Sequence, residues 1–212
     1  MCSIIASFSK DKIKDLVKIN QYRGNFSYSI SAININTMLV EKTIKDFGLF
    51  NYSSLDNIKE GFYYICHVQA PTNGILNLKE RIHPTELKNS RLWHNGIITP
   101  KGVKYLQNST NINSTFDTEL LHTSLYYNQF KQLSEIEGLF SCVYLNQILT
   151  LFRTKHGKLY IDEDLNISSE RFQNSKCINY NTIYKVDFKE KNIIIYDTFK
   201  TKRCNFIIQG EL

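Results

Sequence analysis

The class of fold is indicated most clearly by residues 138–152, which read GLFSCVYLNQILTLF. Two runs rich in apolar, β-branched and aromatic residues, Leu139–Leu145 and Ile148–Phe152, predict two strands. The chain beyond them continues in the same way, with strand patterns at Lys158–Ile161, Thr182–Phe188 and Asn192–Tyr196. The C-terminal third of the chain is therefore predicted to be mostly β-structure.

The part of the chain before Gly138 mixes strand patterns with helical ones. Strands are predicted at Cys2–Phe8, Tyr28–Ile35, Phe62–Val68 and Arg91–Ile98, and helices at Lys10–Asn20, Lys101–Gln107 and Thr118–Tyr127. Strands near both ends with helices between them predict an α+β layered fold. Only 3 prolines occur among 212 residues and no linker divides them, so residues 2–212 are expected to form a single domain.

Composition excludes several classes of protein. Hydrophobic residues make up 42% of the chain, which argues against disorder. No apolar run approaches the roughly 18 residues of a membrane-spanning helix. The start of the chain lacks the basic and long apolar regions of a secretory signal, so a cytoplasmic protein without a membrane partner is expected.

Charge and metal-ligating residues give little support to other functions. The net charge of +6 permits a nucleic-acid partner, but the basic residues are scattered and no dense basic stripe supports one. The 5 cysteines contain no CxxC pair, and the 5 histidines do not share a metal-ligand spacing. Neither a disulfide framework nor a metal site is predicted.

Cys2 stands directly after the initiator methionine. If Met1 is removed, the Cys2 thiol and a free α-amino group belong to one residue. An α-amino group has a pKa of roughly 7.7–8.0, so it can act as the general base for the thiol near neutral pH. On this residue alone, a nucleophile and a chance occupant of a terminal position both remain open.

Further motifs along the chain resemble the glutaminase domain of the class II, N-terminal-nucleophile (Ntn) glutamine amidotransferases. In chain order these motifs are Met1-Cys2-Ser3-Ile4-Ile5, Tyr22-Arg23-Gly24 with Ser27, His67-Val68-Gln69-Ala70-Pro71-Thr72-Asn73-Gly74, Trp93-His94-Asn95-Gly96-Ile97-Ile98, Phe116-Asp117-Thr118-Glu119-Leu120 and Gly138-Leu139-Phe140. Each motif alone is weak, whereas their order and spacing over most of the chain is specific.

The resemblance implies a fold and a catalytic apparatus. The family fold is a four-layer αββα sandwich of two antiparallel sheets. Cys2 would attack the side-chain carbonyl of L-glutamine and form a thioester. Asn95, through its amide, and Gly96, through its backbone N–H, would stabilise the oxyanion. From the residues alone, Asn95-Gly96 could equally form a hairpin turn.

The resemblance also implies a substrate-binding set. Asp117 would bind the α-ammonium of glutamine, and Thr72 and Asn73 would hold its α-carboxylate. Gln69 stands where the family usually carries an arginine that grips this carboxylate, and an uncharged amide binds a carboxylate more weakly. The missing charge could come from Arg81 or Arg91, the substrate could differ, or the affinity for free glutamine could be poor.

Arg23, together with Gly24, is expected to support the loop of the nucleophile through a carbonyl or carboxylate, with a surface ion pair as the alternative. No cofactor is implied by the resemblance. The expected function is a stand-alone glutaminase subunit that passes ammonia to a separate synthetase partner. An Ntn-type hydrolase acting on another amide and a catalytically silent binding or regulatory subunit are the alternatives.

Overall fold

The structure is a computed structural model, and it describes residues 2–70 and 79–201. Within these residues the strands form two sheets in which every pair is antiparallel. The order across the first sheet is β11 (Lys176–Cys177), β9 (Tyr160–Ile161), β10 (Ile167–Ser168), β1 (Ser3–Ser7), β4 (Tyr63–Gln69), β2 (Ser27–Asn34) and β3 (Leu39–Phe47). The order across the second sheet is β13 (Asn192–Thr198), β12 (Thr182–Asp187), β8 (Ile148–Arg153), β7 (Gly138–Asn146), β6 (Ser90–Ile98) and β5 (Thr85–Leu87).

In the described part of the chain three α-helices accompany the sheets; hydroxyl side chains cap the first two, and the third begins without a side-chain cap. They are α1 (Lys10–Asn20), α2 (Pro100–Thr110) and α3 (Asp117–Asn128). The Ser9 hydroxyl accepts a hydrogen bond from the backbone N–H of Lys12 at 3.2 Å, and the Thr99 hydroxyl caps α2 in the same way. The helices predicted from the sequence are therefore all present, and α1 has the predicted bounds.

Three separate apolar cores show how the layers are stacked. Ile4 of β1 and Val143 of β7 belong to one core, which lies between the two sheets. Ile5 points the other way and packs with Leu16 of α1. On the far side, Phe140 of β7 packs with residues of α2 and α3. Since side chains alternate across a strand, each sheet has a helical layer on one face and the other sheet on its second face.

These packing relations give the order α, β, β, α, so the predicted α+β sandwich of two antiparallel sheets is confirmed. Four strands in the described residues are additions to the prediction, namely the short strands β5, β10 and β11 and the longer strand β3. The strand β3 lies at the edge of the first sheet beside β2, and its side chains are mostly half-buried or exposed. No helix in the described part of the chain is long and apolar enough to cross a membrane.

Candidate active site

Cys2 lies immediately before β1, at the point where the first sheet faces the second. Its side chain is buried, and its thiol donates a hydrogen bond to the carbonyl oxygen of Ala70 at 3.4 Å. Burial raises the pKa of the Cys2 thiol above its usual value. The resting thiol is therefore protonated, and a base must take its proton before the sulfur can attack.

Arg23 fixes the backbone of Cys2. Its Nε donates to the carbonyl oxygen of Cys2 at 3.0 Å, and its guanidinium forms an ion pair with Glu170. Arg23 is buried, so the surface ion pair considered from the sequence is wrong. Gly24 then passes close to β4, where an added Cβ would lie 2.6 Å from the backbone nitrogen of Gln69. The segment can approach β4 because Gly24 has no side chain.

The pair Asn95-Gly96 lies inside the continuous strand β6, opposite Ser141 and Phe140 of β7. The alternative prediction of a hairpin turn at this dipeptide is therefore wrong, because the residues on both sides of it pair with β7. Gly96 has φ +152°, and a Cβ at this position would lie 2.1 Å from the carbonyl oxygen of Leu139. Both the positive φ and the close contact with Leu139 require a glycine at this position.

Ser169 joins the strand of the nucleophile to Asn95. The Ser169 Oγ accepts hydrogen bonds from the backbone N–H of Ile4 at 2.9 Å and from the side-chain amide of Asn95 at 3.0 Å. Its own backbone N–H donates to the carbonyl oxygen of Ile4 at 3.0 Å. Ser169 was not predicted as a site residue, because a serine in the polar run Ser168-Ser169-Glu170 carries no distinctive signal.

A second group of side chains forms a buried polar network beside Cys2. The ring of His83 stacks on that of His67 with 4.2 Å between centroids. Nδ1 of His83 lies 3.3 Å from the side-chain oxygen of Gln69, and its Nε2 lies 3.1 Å from the hydroxyl oxygen of Thr118. The Nδ1 of His94 lies 2.9 Å from the same hydroxyl. All three histidines are buried and hydrogen bonded, and Nε2 of His67 lies 3.1 Å from the carbonyl oxygen of His94.

These histidines are neutral in the folded protein. Burial lowers the pKa of His67 to about 3, and it also lowers the pKa values of His83 and His94. The network therefore orients its neighbours through hydrogen bonds without adding positive charge. Among the described residues, no group of three or more His, Cys, Asp or Glu side chains is placed to hold a metal ion.

A cavity brings several of the predicted residues together. Cys2, Gly96, Gln69 and Asp117 all line it, as does Arg81. Asn95 is not among the lining residues; it precedes Gly96, and its side-chain amide donates one hydrogen bond to Ser169. Thr72 and Asn73, which were predicted to bind the α-carboxylate, lie outside the described residues.

Asp117 is the first residue of α3, and its Oδ2 accepts a weak hydrogen bond from the backbone N–H of Ile98 at 3.4 Å. A carboxylate at a helix N-terminus is stabilised by the helix dipole, so the side chain can serve the helix and face the cavity at once. The cavity therefore combines a thiol, a carboxylate, a guanidinium and a backbone glycine.

Comparison with known proteins gives one curated relative. The chain is 30% identical over 142 residues to the glutamine–fructose-6-phosphate aminotransferase (isomerizing) of Buchnera aphidicola subsp. Baizongia pistaciae, a match that covers 62% of this chain and 23% of that protein. No model of a known protein family matches the chain.

Two solved structures share the fold. One is the glutamine phosphoribosylpyrophosphate amidotransferase of B. subtilis with ADP and GMP, at TM-score 0.63 and 16% identity over 92% of this chain. The other, described as the allosteric regulatory enzyme of purine biosynthesis, has TM-score 0.63 and 17% identity over 89% of this chain. This chain spans about half the length of each, 49% and 47%. The curated match and the shared two-sheet fold together confirm the resemblance to the class II, N-terminal-nucleophile glutamine amidotransferases.

Proposed function

We propose that this chain hydrolyses the side-chain amide of L-glutamine through Cys2 and delivers the ammonia to a partner synthetase. The observation that carries the proposal is the meeting of the Cys2 thiol, Gly96 and Asp117 on one cavity. A nucleophile, an oxyanion donor and a carboxylate for an ammonium group are what the hydrolysis of a free amino acid amide requires.

In the proposed reaction, Met1 is removed and the α-amino group of Cys2 takes the proton of the thiol. The sulfur attacks the amide carbon, a C–S bond forms, and the negative charge moves to the carbonyl oxygen. The C–N bond then breaks, and the proton held by the amine goes to the leaving nitrogen as ammonia departs. Water cleaves the thioester, which releases glutamate and restores the thiol.

Asn95 contributes through the second hydrogen of its amide. A carboxamide nitrogen has two hydrogens, and Ser169 accepts one of them. In the proposal the other hydrogen, with the backbone N–H of Gly96, stabilises the developing oxyanion. Such a donor is typically worth about 3 kcal/mol of the barrier. Thr72 and Asn73 are proposed to contact the α-carboxylate.

The stand-alone glutaminase and its synthetase partner belong to the same proposal. Free ammonia is protonated in water, so a partner that receives it directly would keep it reactive. A cytoplasmic location is part of the proposal because the nucleophilic thiol must stay reduced.

The second candidate is an Ntn-type hydrolase that acts on another amide, and Gln69 is the observation that favours it. This position carries no charge, so the grip on an amino-acid carboxylate expected from the resemblance is absent there. A catalytically silent binding subunit is the third candidate.

Intact-mass measurement with 6-diazo-5-oxo-L-norleucine, an electrophilic glutamine mimic, tests the proposal. We expect the loss of Met1 and a single adduct, which Cys2→Ala abolishes and excess glutamine prevents. Cys177→Ser is the matched control, because Cys177 is an exposed free thiol that a non-specific reagent would modify first.

Three outcomes contradict the proposal. A retained Met1 without an adduct would leave the binding subunit as the best candidate. An adduct that glutamine does not block would point to a different amide. An adduct lost in Cys177→Ser but kept in Cys2→Ala would show that the reagent labels an exposed thiol and not a catalytic one.

A further inference from the structure

The side chain of Gln69 is engaged inside the protein. Its oxygen accepts a hydrogen bond from the Ser27 hydroxyl at 3.3 Å and lies 3.3 Å from Nδ1 of His83. Its amide nitrogen donates to the backbone carbonyl oxygen of Arg81 at 3.3 Å. Gln69 therefore holds the backbone of Arg81 in place, and it has no charge to offer a ligand.

Arg91, the second arginine near this part of the sequence, makes its contacts away from the cavity. Its Nη2 lies 3.2 Å from a carboxylate oxygen of Glu86, and its Nη1 donates to the carbonyl oxygens of Lys88 and Ser90. Arg91 does not line the cavity of Cys2. These contacts place it at the edge of the second sheet.

Arg81 does line the cavity. It ends a short 3₁₀ turn, Lys79–Arg81, and its guanidinium carbon lies 5.7 Å from the centre of the Phe116 ring. An aromatic ring next to a guanidinium restricts where its planar group can lie. Phe116 precedes Asp117, so the same short segment orients the cation and carries the carboxylate.

Resting on the proposed function, we propose that Arg81 binds the α-carboxylate of the amino-acid substrate, in place of the charge that residue 69 lacks. Among the described residues that line the cavity, Arg81 supplies the positive charge and Asp117 the negative charge. A zwitterion with its ammonium at Asp117 and its carboxylate at Arg81 directs its side chain towards Cys2. The guanidinium fork matches a carboxylate in shape as well as charge.

The test compares three substrates with the wild-type chain and three variants. The substrates are L-glutamine, 4-aminobutanamide, which lacks the α-carboxylate, and glutaramic acid, which lacks the α-ammonium. The variants are Arg81→Gln, Arg81→Lys and, as matched control, Arg91→Gln. Ammonia release gives kcat and KM, and the rate of labelling by 6-diazo-5-oxo-L-norleucine gives an independent measure of binding.

For Arg81→Gln we expect KM for glutamine to rise by about 10- to 100-fold, since a charge-assisted hydrogen bond is lost. The preference for glutamine, measured as the ratio of kcat/KM for glutamine to kcat/KM for 4-aminobutanamide, should fall by the same factor relative to the wild type. Arg81→Lys should be intermediate, because it keeps the charge and loses the fork. Arg91→Gln should keep the wild-type KM.

The preference of glutamine over 4-aminobutanamide separates binding from a merely structural role, since loss of packing would lower the rates on both substrates equally. An unchanged preference in Arg81→Gln would overturn the assignment while leaving the glutaminase intact. A wild-type chain that neither releases ammonia nor is labelled would instead overturn the proposed function, and the assignment of Arg81 with it.

Discussion

The two sides of the cavity are held in different ways. The nucleophile side consists of Cys2, Arg23, Asn95, Gly96 and Ser169, which lie on strands or pair directly with them. Its contacts run largely through backbone groups: Arg23 bonds the carbonyl oxygen of Cys2, and Ser169 bonds both backbone groups of Ile4. This side is therefore tied to the main chain at the start of β1.

The recognition side consists of Gln69, Arg81, His83, Asp117 and Thr118. These residues lie at the ends of elements and in a short turn, and they meet mostly through side chains. The neutral ring of His83 joins Gln69 to Thr118. This side therefore depends on the protonation and identity of single side chains.

The difference explains where the sequence departs from the family pattern. Gln69 belongs to the recognition side, where one segment can supply a charge that another lacks. The nucleophile side has no such freedom, because its residues also hold the sheets together. Three measurements can break or sharpen this comparison.

The largest effect is expected for Gly96→Ala on the nucleophile side. The new methyl group would lie 2.1 Å from the carbonyl oxygen of Leu139, at a φ of +152°. Clash and backbone strain together should lower the free energy of unfolding by about 4 kcal/mol. Urea unfolding followed by circular dichroism measures this.

Gly61→Ala is the control for Gly96→Ala. Gly61 also has a positive φ, +89°, but an added Cβ would meet nothing within 4 Å. Its cost should be about 1–2 kcal/mol, from backbone strain alone. Equal losses in the two variants would contradict the view that the strand geometry at Gly96 is specially constrained.

Acid should have the next largest effect, through His67, whose ring stacks on that of His83 on the recognition side. His67, with a folded pKa of about 3, stays neutral in the fold but takes up a proton near pH 6.5 when unfolded. Its contribution to stability is thus complete above pH 6.5 and is lost as pH falls towards 3. In this window each such histidine should lower the free energy of unfolding by up to about 1.4 kcal/mol for every pH unit of acidification.

Urea unfolding at pH 7.5, 6.5 and 5.5 measures the slope. His67→Gln should reduce it by about one proton. A slope that is the same in wild type and His67→Gln would contradict a neutral buried His67.

The smallest effect is expected for Ser169→Ala. The hydroxyl accepts from Ile4 and Asn95, so its loss should cost about 1 kcal/mol of stability. Because Asn95 would lose its orientation, kcat for glutamine should fall about 10-fold, with little change in KM.

Ser29→Ala is the matched control, because the Ser29 hydroxyl is buried and has no hydrogen-bond partner among the described residues. This variant should keep both stability and kcat. If Ser169→Ala raised KM and left kcat unchanged, Ser169 would belong to the recognition side.

Much of the secondary structure could be read from local patterns. The helix α1 was predicted with its observed bounds, since its apolar period is a local signal. The strand β3 was missed because Glu41, Lys42 and Asp46 interrupt its apolar pattern, as suits an edge strand that faces solvent. The dipeptide Asn95-Gly96 was ambiguous, since a turn and a strand with a close contact both require glycine.

The sequence by itself determined the layered α+β class, the resemblance to the glutaminases and the identity of Cys2 as candidate nucleophile. These depend on side-chain period and on motifs that are local in the chain. Tertiary structure alone decided the partners of Gln69, the choice between Arg81 and Arg91, and the role of Ser169. Such pairings join residues far apart in the chain, 74 positions for Asn95 and Ser169, and only the packing of the two sheets brings them within hydrogen-bond distance.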